Sequence, residues 1–396
     1  MSQKSTLSVA VVGAGPAGQA HAFGFRNATM SDRLSGVTVE LDTVVDTDIE
    51  LARRVARRYG FRRAVADVQT VIDDPAIDAV SVALPNFLGL PVLGALLRAG
   101  KHVLGEKPLG RNAAEADELV GIAASSGRVA AVGFTYRRVP ALAQLSEKVH
   151  SGLIGQPYFA RAHYYSDYAL DPATQMSWRF DAELSGGGTL LDMASHALDA
   201  VSFVLGTSGA VSAVTSCHLD TVIRERPTAD GGRAAVTNDD TALIDLRFHG
   251  GVLGSVLSSR VAAGYPNDLG LEVFGSDGRA KWSFARSNEW VLYQRSVGAP
   301  GTDGPRIIVP GPDAPYFTDT MPMVARGNPT GYGEAFAAEM QDFLLSILNG
   351  TPMDTSFEVG ARTMHVITAA LESARTKQSV SVPNLGTTVS GGNGTR

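Results

Sequence analysis

A continuous β-prone apolar run, Ser8-Val9-Ala10-Val11-Val12, passes straight into Gly13-Ala14-Gly15-Pro16-Ala17-Gly18 and then into a helical pattern over Gln19 to Phe25. That order leaves few folds open. The run is too short for a helix and reads as a strand covered on both faces, as in a parallel sheet. A G-x-G-x-x-G is weak on its own. Between a buried strand and a helix it reads as a dinucleotide-binding turn, because Gly13 makes the turn and Gly15 lets the backbone approach a pyrophosphate at the helix N-terminus. Pro16, Ala17 and Gly18 complete the candidate cofactor loop. A second strand, Val39 to Val45, ends at Asp46, whose carboxylate suits a ribose 2′-hydroxyl and repels a 2′-phosphate. Thr47-Asp48 follow with no adjacent arginine, so NAD is favoured over NADP.

The alternation continues through a helix from Ile49 to Tyr59, a strand near Ala64 to Ala66, a helix around Val68 to Ile72 and a strand Ala79 to Leu84. A helix through Leu90 to Ala99, a strand His102 to Leu104, a helix Ala113 to Ser125 and a strand Val129 to Gly133 complete it. Such a series predicts a doubly wound parallel sheet with ligands at the carboxyl ends of its strands. Pro85, Asn86, Glu106 and Lys107 fall at that edge with Asp46 and are candidate cofactor contacts. Pro108 keeps Lys107 extended, so its amine stays at the end of the sheet.

Beyond Tyr136 strands follow strands, from Tyr158 to Tyr165 through Glu289 to Tyr293, with turn signals such as His249-Gly250-Gly251 between them. Two late helices, Glu334 to Leu348 and Phe357 to Arg375, close the chain, and Gly298 to Pro315 and Pro322 to Gly333 read as loops. The 396 residues are too many for one ordinary core. The expectation is α/β: a Rossmann domain over 1–135, an α+β substrate and oligomerisation domain with a large, mostly antiparallel, open-faced sheet over 136–385, and a disordered tail over 386–396.

Early in the second half, Gly186-Gly187-Gly188 leave the backbone free to approach a flat partner such as a cofactor ring. The apolar spacing that follows to Leu205 predicts one helix, which puts Asp192 and His196 one turn apart on one face. An imidazole beside a carboxylate suits proton transfer near neutrality, though read alone the pair is a buried histidine satisfied by an aspartate. Lys107 beside a bound nicotinamide, with Asp192 and His196 arriving from the other half, would make a hydroxyl-oxidation site.

Composition narrows the partners. A net charge of −6 with no long basic run argues against nucleic acid and anionic membranes. The single cysteine, Cys217, excludes an intrachain disulfide and a cysteine-rich zinc site, and no metal is expected. No stretch approaches the roughly 18 uninterrupted apolar residues of a membrane helix, and the N-terminal apolar run ends in the glycine fingerprint, unlike a signal peptide. The chain is expected to be cytoplasmic.

Taken together, Gly13 to Gly18, Pro85-Asn86, Glu106-Lys107-Pro108 and Asp192 to His196 with Asp199 resemble the Gfo/Idh/MocA family of NAD(P)-dependent sugar and polyol dehydrogenases over nearly the whole chain. Tyr136-Arg137-Arg138-Val139-Pro140, Ser177-Trp178-Arg179-Phe180 and the Gly186 to His196 entry resemble its levoglucosan dehydrogenase and glycoside 3-dehydrogenase branch. One departure is Gly89, where many members have a histidine. The resemblance implies Lys107, Asp192 and His196 as catalytic residues: His196 the base, Asp192 orienting substrate and tuning His196, Lys107 favouring the alkoxide. Tyr136, Arg137, Tyr164, Asp167 and Arg179 are candidates to bond sugar hydroxyls, and Trp178 to pack on a sugar face. The expected activity is NAD-dependent oxidation of a secondary hydroxyl of a sugar, glycoside or cyclic polyol, at C3 where the substrate is a pyranoside. An inositol dehydrogenase is the nearest variant, and a catalytically silent dinucleotide sensor or accessory subunit the alternative of another class. A sheet with one uncovered face commonly meets a partner's sheet, so a homodimer or homotetramer is expected.

Overall fold

The computed structural model describes residues 6–295, 303–321 and 323–385; the tail 386–396 and part of the Gly298 to Pro315 loop lie outside them. Six strands, β1 (Thr6–Val12), β2 (Thr38–Val45), β3 (Arg63–Val65), β4 (Ala79–Val82), β5 (His102–Glu106) and β6 (Ala130–Gly133), pair in parallel in the order β3-β2-β1-β4-β5-β6. Five helices connect them or cross over: α1 (Pro16–Ala28), α2 (Ile49–Tyr59), α3 (Gln69–Ile72), α4 (Gly89–Arg98) and α5 (Ala113–Ser126). Strand order reverses between β1 and β4, so a crevice opens at their carboxyl ends, where such sheets bind ligands. Local chemistry sets the bounds. Asp48 caps α2 by accepting from Glu50 N–H and Leu51 N–H, and Gly60 at φ +86° ends it in the left-handed conformation.

A 3₁₀ turn over Thr135–Arg138 leads into α6 (Pro140–His150), which the sequence reading passes over although proline at its first position is a helix signal. There follow β7 (Pro157–Tyr165), α7 (Ala182–Ser185), α8 (Thr189–Asp192), α9 (Ala194–Leu205), β8 (Val211–Asp220) and a small hairpin, β9 (Glu225–Pro227) with β10 (Arg233–Ala235). The chain then runs through β11 (Thr241–Phe248), β12 (Leu253–Ser259), β13 (Asp268–Gly275), β14 (Gly278–Ser283), β15 (Trp290–Gln294), β16 (Arg306–Ile308), α10 (Phe317–Thr320), α11 (Tyr332–Asn349), α12 (Phe357–Thr376) and β17 (Val380–Ser381).

Nine of these strands form one sheet in the order β16-β15-β14-β13-β7-β12-β11-β8-β17, in which only β7 and β12 run parallel. Period-two patterning decides its faces: along β11, Ala242, Ile244, Leu246 and Phe248 are buried while Leu243 and Arg247 are exposed. The buried face packs against α9 and α12. Along β11 and β12 the other face carries exposed Leu243, Arg247 and Leu253.

The late helices return to the first half. Met340, Phe343 and Leu344 of α11 share a core with Leu7, Val9 and Val11 of β1 and Phe25 of α1. Val132 N–H donates to Thr355 O at 2.8 Å, and Ala131 bridges to Ser356, so the entry to α12 adds to the edge of the parallel sheet.

Two sequence expectations need correction. The helix expected from the glycines to Leu205 is broken: α8 ends at Asp192, Met193 lies between, and α9 starts at Ala194. Two of the three glycines, Gly186 and Gly188, admit the protein's own backbone, while a Cβ on Gly187 would meet only the Leu191 side chain, at 3.2 Å. A Cβ on Gly186, at φ +85°, would lie 2.4 Å from Arg111 O, and one on Gly188 would lie 1.9 Å from Asp239 O. Asp239 uses that approach to cap α8, accepting from Gly188 N–H at 2.9 Å and Leu190 N–H at 2.7 Å. No described helix is long and apolar enough to cross a membrane.

Candidate active site

A cleft of about 1250 Å³ runs from the glycine turn after β1 to the start of α9. At its first end the fingerprint glycines divide their work. Gly13 sits at φ +98°, and a Cβ there would lie 2.2 Å from Ala83 O; one on Gly18 would lie 1.7 Å from Gly13 O. Both let backbones touch. A Cβ on Gly15 would meet nothing within 4 Å, so this residue leaves space open on the cleft wall at the N-terminus of α1, beside Pro16 and Ala17. No acidic residue stands in the first turn of that helix. An open glycine at an uncompensated helix N-terminus fits a pyrophosphate. Asp46 stands next to it at the end of β2, accepting from Ala14 N–H at 2.8 Å and Asp48 N–H at 2.9 Å. Pro85 and Asn86 line the same cleft, and Asn86 Nδ2 also donates to Ser185 O at 2.8 Å, tying the two halves together. At the departure from the family pattern, a Cβ on Gly89 would meet nothing within 4 Å.

At the other end Lys107, Asp192 and His196 meet. The helix break explains how. With Met193 out of register, His196 N–H takes the carbonyl of Met193, and the carbonyl of Asp192 accepts instead from Lys107 Nζ at 2.9 Å. The same ammonium donates to Asp192 Oδ1 at 2.8 Å. Burial alone would raise the Asp192 carboxyl, but Lys107, with Arg179 and His196 behind it, holds it well below the usual carboxylate range. Burial likewise opposes the Lys107 charge, and Asp192 and Glu106 outweigh it, so the ammonium is retained. For His196 burial and Lys107 act together and push the imidazole well below its ordinary value, with Asp192 opposing only in part. The ring is therefore neutral at neutral pH. Neither ring nitrogen has a hydrogen-bond partner among the described residues, while Tyr136 packs edge-on at 5.0 Å.

The structure brings Tyr164, Trp178 and Arg179 to the same end of the cleft, with the Arg179 guanidinium 4.4 Å over the Trp178 ring. It does not bring the other three sugar candidates there. Arg137 is buried in an ion pair with Asp199, both of whose oxygens it binds, and donates to Asp354 O at 3.0 Å. Tyr136 lies behind His196, its hydroxyl 2.9 Å from that of Tyr164 and accepting from Asn267 Nδ2 at 3.3 Å. Asp167 sits on the half-exposed turn after β7, off the cleft wall.

Sequence reasoning passes over several contributors. Tyr168 donates to Asp192 Oδ2 at 3.2 Å from a loop with no periodic pattern. Thr135, Tyr332 and Phe336 line the cleft from the turn after β6 and from α11, about 200 positions apart in the chain. Glu106 reaches from the cleft wall to His21 of α1, Oε1 to Nε2 at 3.0 Å. Among the described residues no group of three or more His, Cys, Asp or Glu is placed to hold a metal ion.

Comparison with known proteins agrees with this architecture. A family model described as oxidoreductase family, NAD-binding Rossmann fold, matches residues 7–134, and one described as GFO/IDH/MocA C-terminal domain matches residues 142–281. Levoglucosan dehydrogenase of Pseudarthrobacter phenanthrenivorans is 33% identical over 392 residues, covering 96% of this chain and 99% of that protein. Myo-inositol 2-dehydrogenase of Thermotoga maritima is 28% identical over 375 residues, covering 94% and 98%. A solved structure of levoglucosan dehydrogenase in complex with NADH and levoglucosan superposes with a TM-score of 0.90 at 32% identity, covering 96% of this chain and all of that one (100%).

Proposed function

Because the chain belongs to the Gfo/Idh/MocA family of NAD-dependent oxidoreductases, we propose that it oxidises a secondary hydroxyl at C3 of a pyranoside or related cyclic sugar. The observation that carries this reading is the meeting of Lys107, Asp192 and a neutral His196 at the far end of the cleft that begins at the glycine turn. When bound, NAD accepts the hydride through its nicotinamide. In the proposed reaction His196 takes the hydroxyl proton, and Lys107 Nζ donates to the oxygen as negative charge develops. Asp192, held on one oxygen by Lys107 and on the other by Tyr168, fixes the ammonium and presents its remaining lone pairs to a neighbouring hydroxyl. Trp178 offers a flat apolar face to a sugar ring, while Arg179 and the Tyr164 hydroxyl supply polar contacts beside it. The levoglucosan dehydrogenase and D-glucoside 3-dehydrogenase relatives support the choice of a pyranoside.

A panel of pyranoses, glycosides, anhydrosugars and inositols offered with NAD, read as growth of NADH absorbance and with the product's keto position assigned by NMR, tests it. A 3-keto pyranoside product is expected; oxidation of inositols alone would transfer the assignment to a cyclitol dehydrogenase. The cofactor contact is tested separately. Asp46→Ala is expected to narrow the NAD over NADP preference by about 10-fold or more in the ratio of kcat/KM values, because the repulsion of a 2′-phosphate goes. Loss of the bond to Ala14 N–H weakens both cofactors alike and cancels in that ratio. We further propose that the sheet face with exposed Leu243 and Leu253 packs on a second copy in a homodimer or homotetramer, and light scattering measures that.

A further inference from the structure

Behind the cleft wall that carries Lys107 lies a buried polar cluster that the proposed chemistry does not use. Glu106 reaches two ways: Oε2 accepts from Lys107 N–H at 3.1 Å, and Oε1 lies 3.0 Å from Nε2 of His21. His21 is fully buried, its ring 5.7 Å from that of Phe336. One layer deeper, α11 contributes Glu339, also fully buried. Its Oε2 accepts from the Thr135 hydroxyl at 2.8 Å, and its Oε1 has no hydrogen-bond partner among the described residues. The charged and titratable groups that face it are Glu106 from β5, Arg138 from the turn after β6, Asp354 from the approach to α12 and Tyr332 from its own helix.

We propose that Glu339 is a positioning residue that sets the preference between oxidised and reduced cofactor: neutral, it leaves Glu106 as the negative group beside the Lys107–Asp192 ion pair at the nicotinamide end, and ionised it adds a second negative charge behind that pair. The oxidised ring carries a positive charge and the reduced ring none, so the second charge favours NAD⁺ over NADH. The proposal rests on the proposed function, in which the nicotinamide of bound NAD lies at the Lys107 end of the cleft. A fully buried carboxyl that accepts one hydrogen bond is costly to ionise. Burial first, and repulsion by Glu106 next, push Glu339 up to about 8, against the opposing pull of Arg138 and the Thr135 hydroxyl. The acid is thus neutral through most of the physiological range and loses its proton to solvent just above it.

The test needs no sugar. Dissociation constants of NAD⁺ and NADH are measured by calorimetry or fluorescence across a pH series on either side of that midpoint. The ratio Kd(NADH)/Kd(NAD⁺) is expected to rise by about tenfold through the midpoint, the effect of one buried charge at second-neighbour range. Glu339→Gln should hold the ratio at its low-pH value throughout. Thr135→Val removes a hydrogen bond that favours the carboxylate and should move the midpoint upward, which decides the matter even if the glutamine variant does not fold. A flat ratio in the wild-type protein, a wild-type rise in Glu339→Gln, or a downward shift in Thr135→Val overturns the proposal. A flat ratio with sugar oxidation intact removes the role of Glu339 and leaves the dehydrogenase standing.

Discussion

Lys107→Met is expected to lower kcat by about 10²- to 10³-fold or more while the affinity for NADH changes little. The lower bound is what a single preorganised donor to a developing oxyanion contributes in an enclosed site. Two further effects run in the same direction. Lys107 is the group that holds Asp192 below the usual carboxylate range, so without it Asp192 takes up a proton more readily and no longer presents a charged acceptor. Lys107 also helps depress His196, so its removal raises the imidazole and brings the acid side of the pH profile toward neutrality. Methionine keeps the length and apolar stem of the side chain, so the wall near Glu106 and the NADH site stay filled. Fluorescence titration with NADH beside steady-state kinetics separates the outcomes. A parallel loss of affinity and rate would make Lys107 a structural strut and remove it from the chemistry.

How much of this was legible in the chain varies from place to place for physical reasons. The first strand, read over Ser8 to Val12 and observed over Thr6–Val12, and the glycine turn are found because their signals are local: an apolar run, glycines at a tight turn, and a helix start. The helix Ile49–Tyr59 is found at its full length because Asp48 and Gly60 cap it. The break at Met193 is invisible to periodicity, since Thr189 to Leu205 are nearly all buried and offer no polar face whose phase could slip. Arg137 misleads in the same way. An arginine beside a sugar-site motif looks like a hydroxyl donor, and only the fold shows Asp199 and Asp354 waiting for it. Gly186 and Gly188 are correctly seen as sites of close approach, but what approaches is Arg111 and Asp239, each about 50 or more residues away along the chain. Tyr168, Thr135 and Glu339 reach their places through tertiary contacts alone.

His196→Ala is expected to cost about 10²- to 10⁴-fold in kcat, the range of a lost general base, with NADH affinity again little changed. The pH dependence carries more information than the size of the loss. A base must be unprotonated to act, so the rate falls as pH drops through the pKa of the imidazole. Burial and the Lys107 ammonium push that pKa well below the ordinary histidine value, so kcat/KM in the wild-type protein should stay level from neutrality downward and fall only below the usual histidine range. In Lys107→Met the same fall should move to higher pH, because a depressing charge has gone. In His196→Ala it should vanish, leaving a low rate supported by binding and orientation alone. A fall that persists unchanged in His196→Ala would assign the titration to another group, and one that fails to move in Lys107→Met would mean that the ammonium and the imidazole do not sense each other across the 192–196 turn.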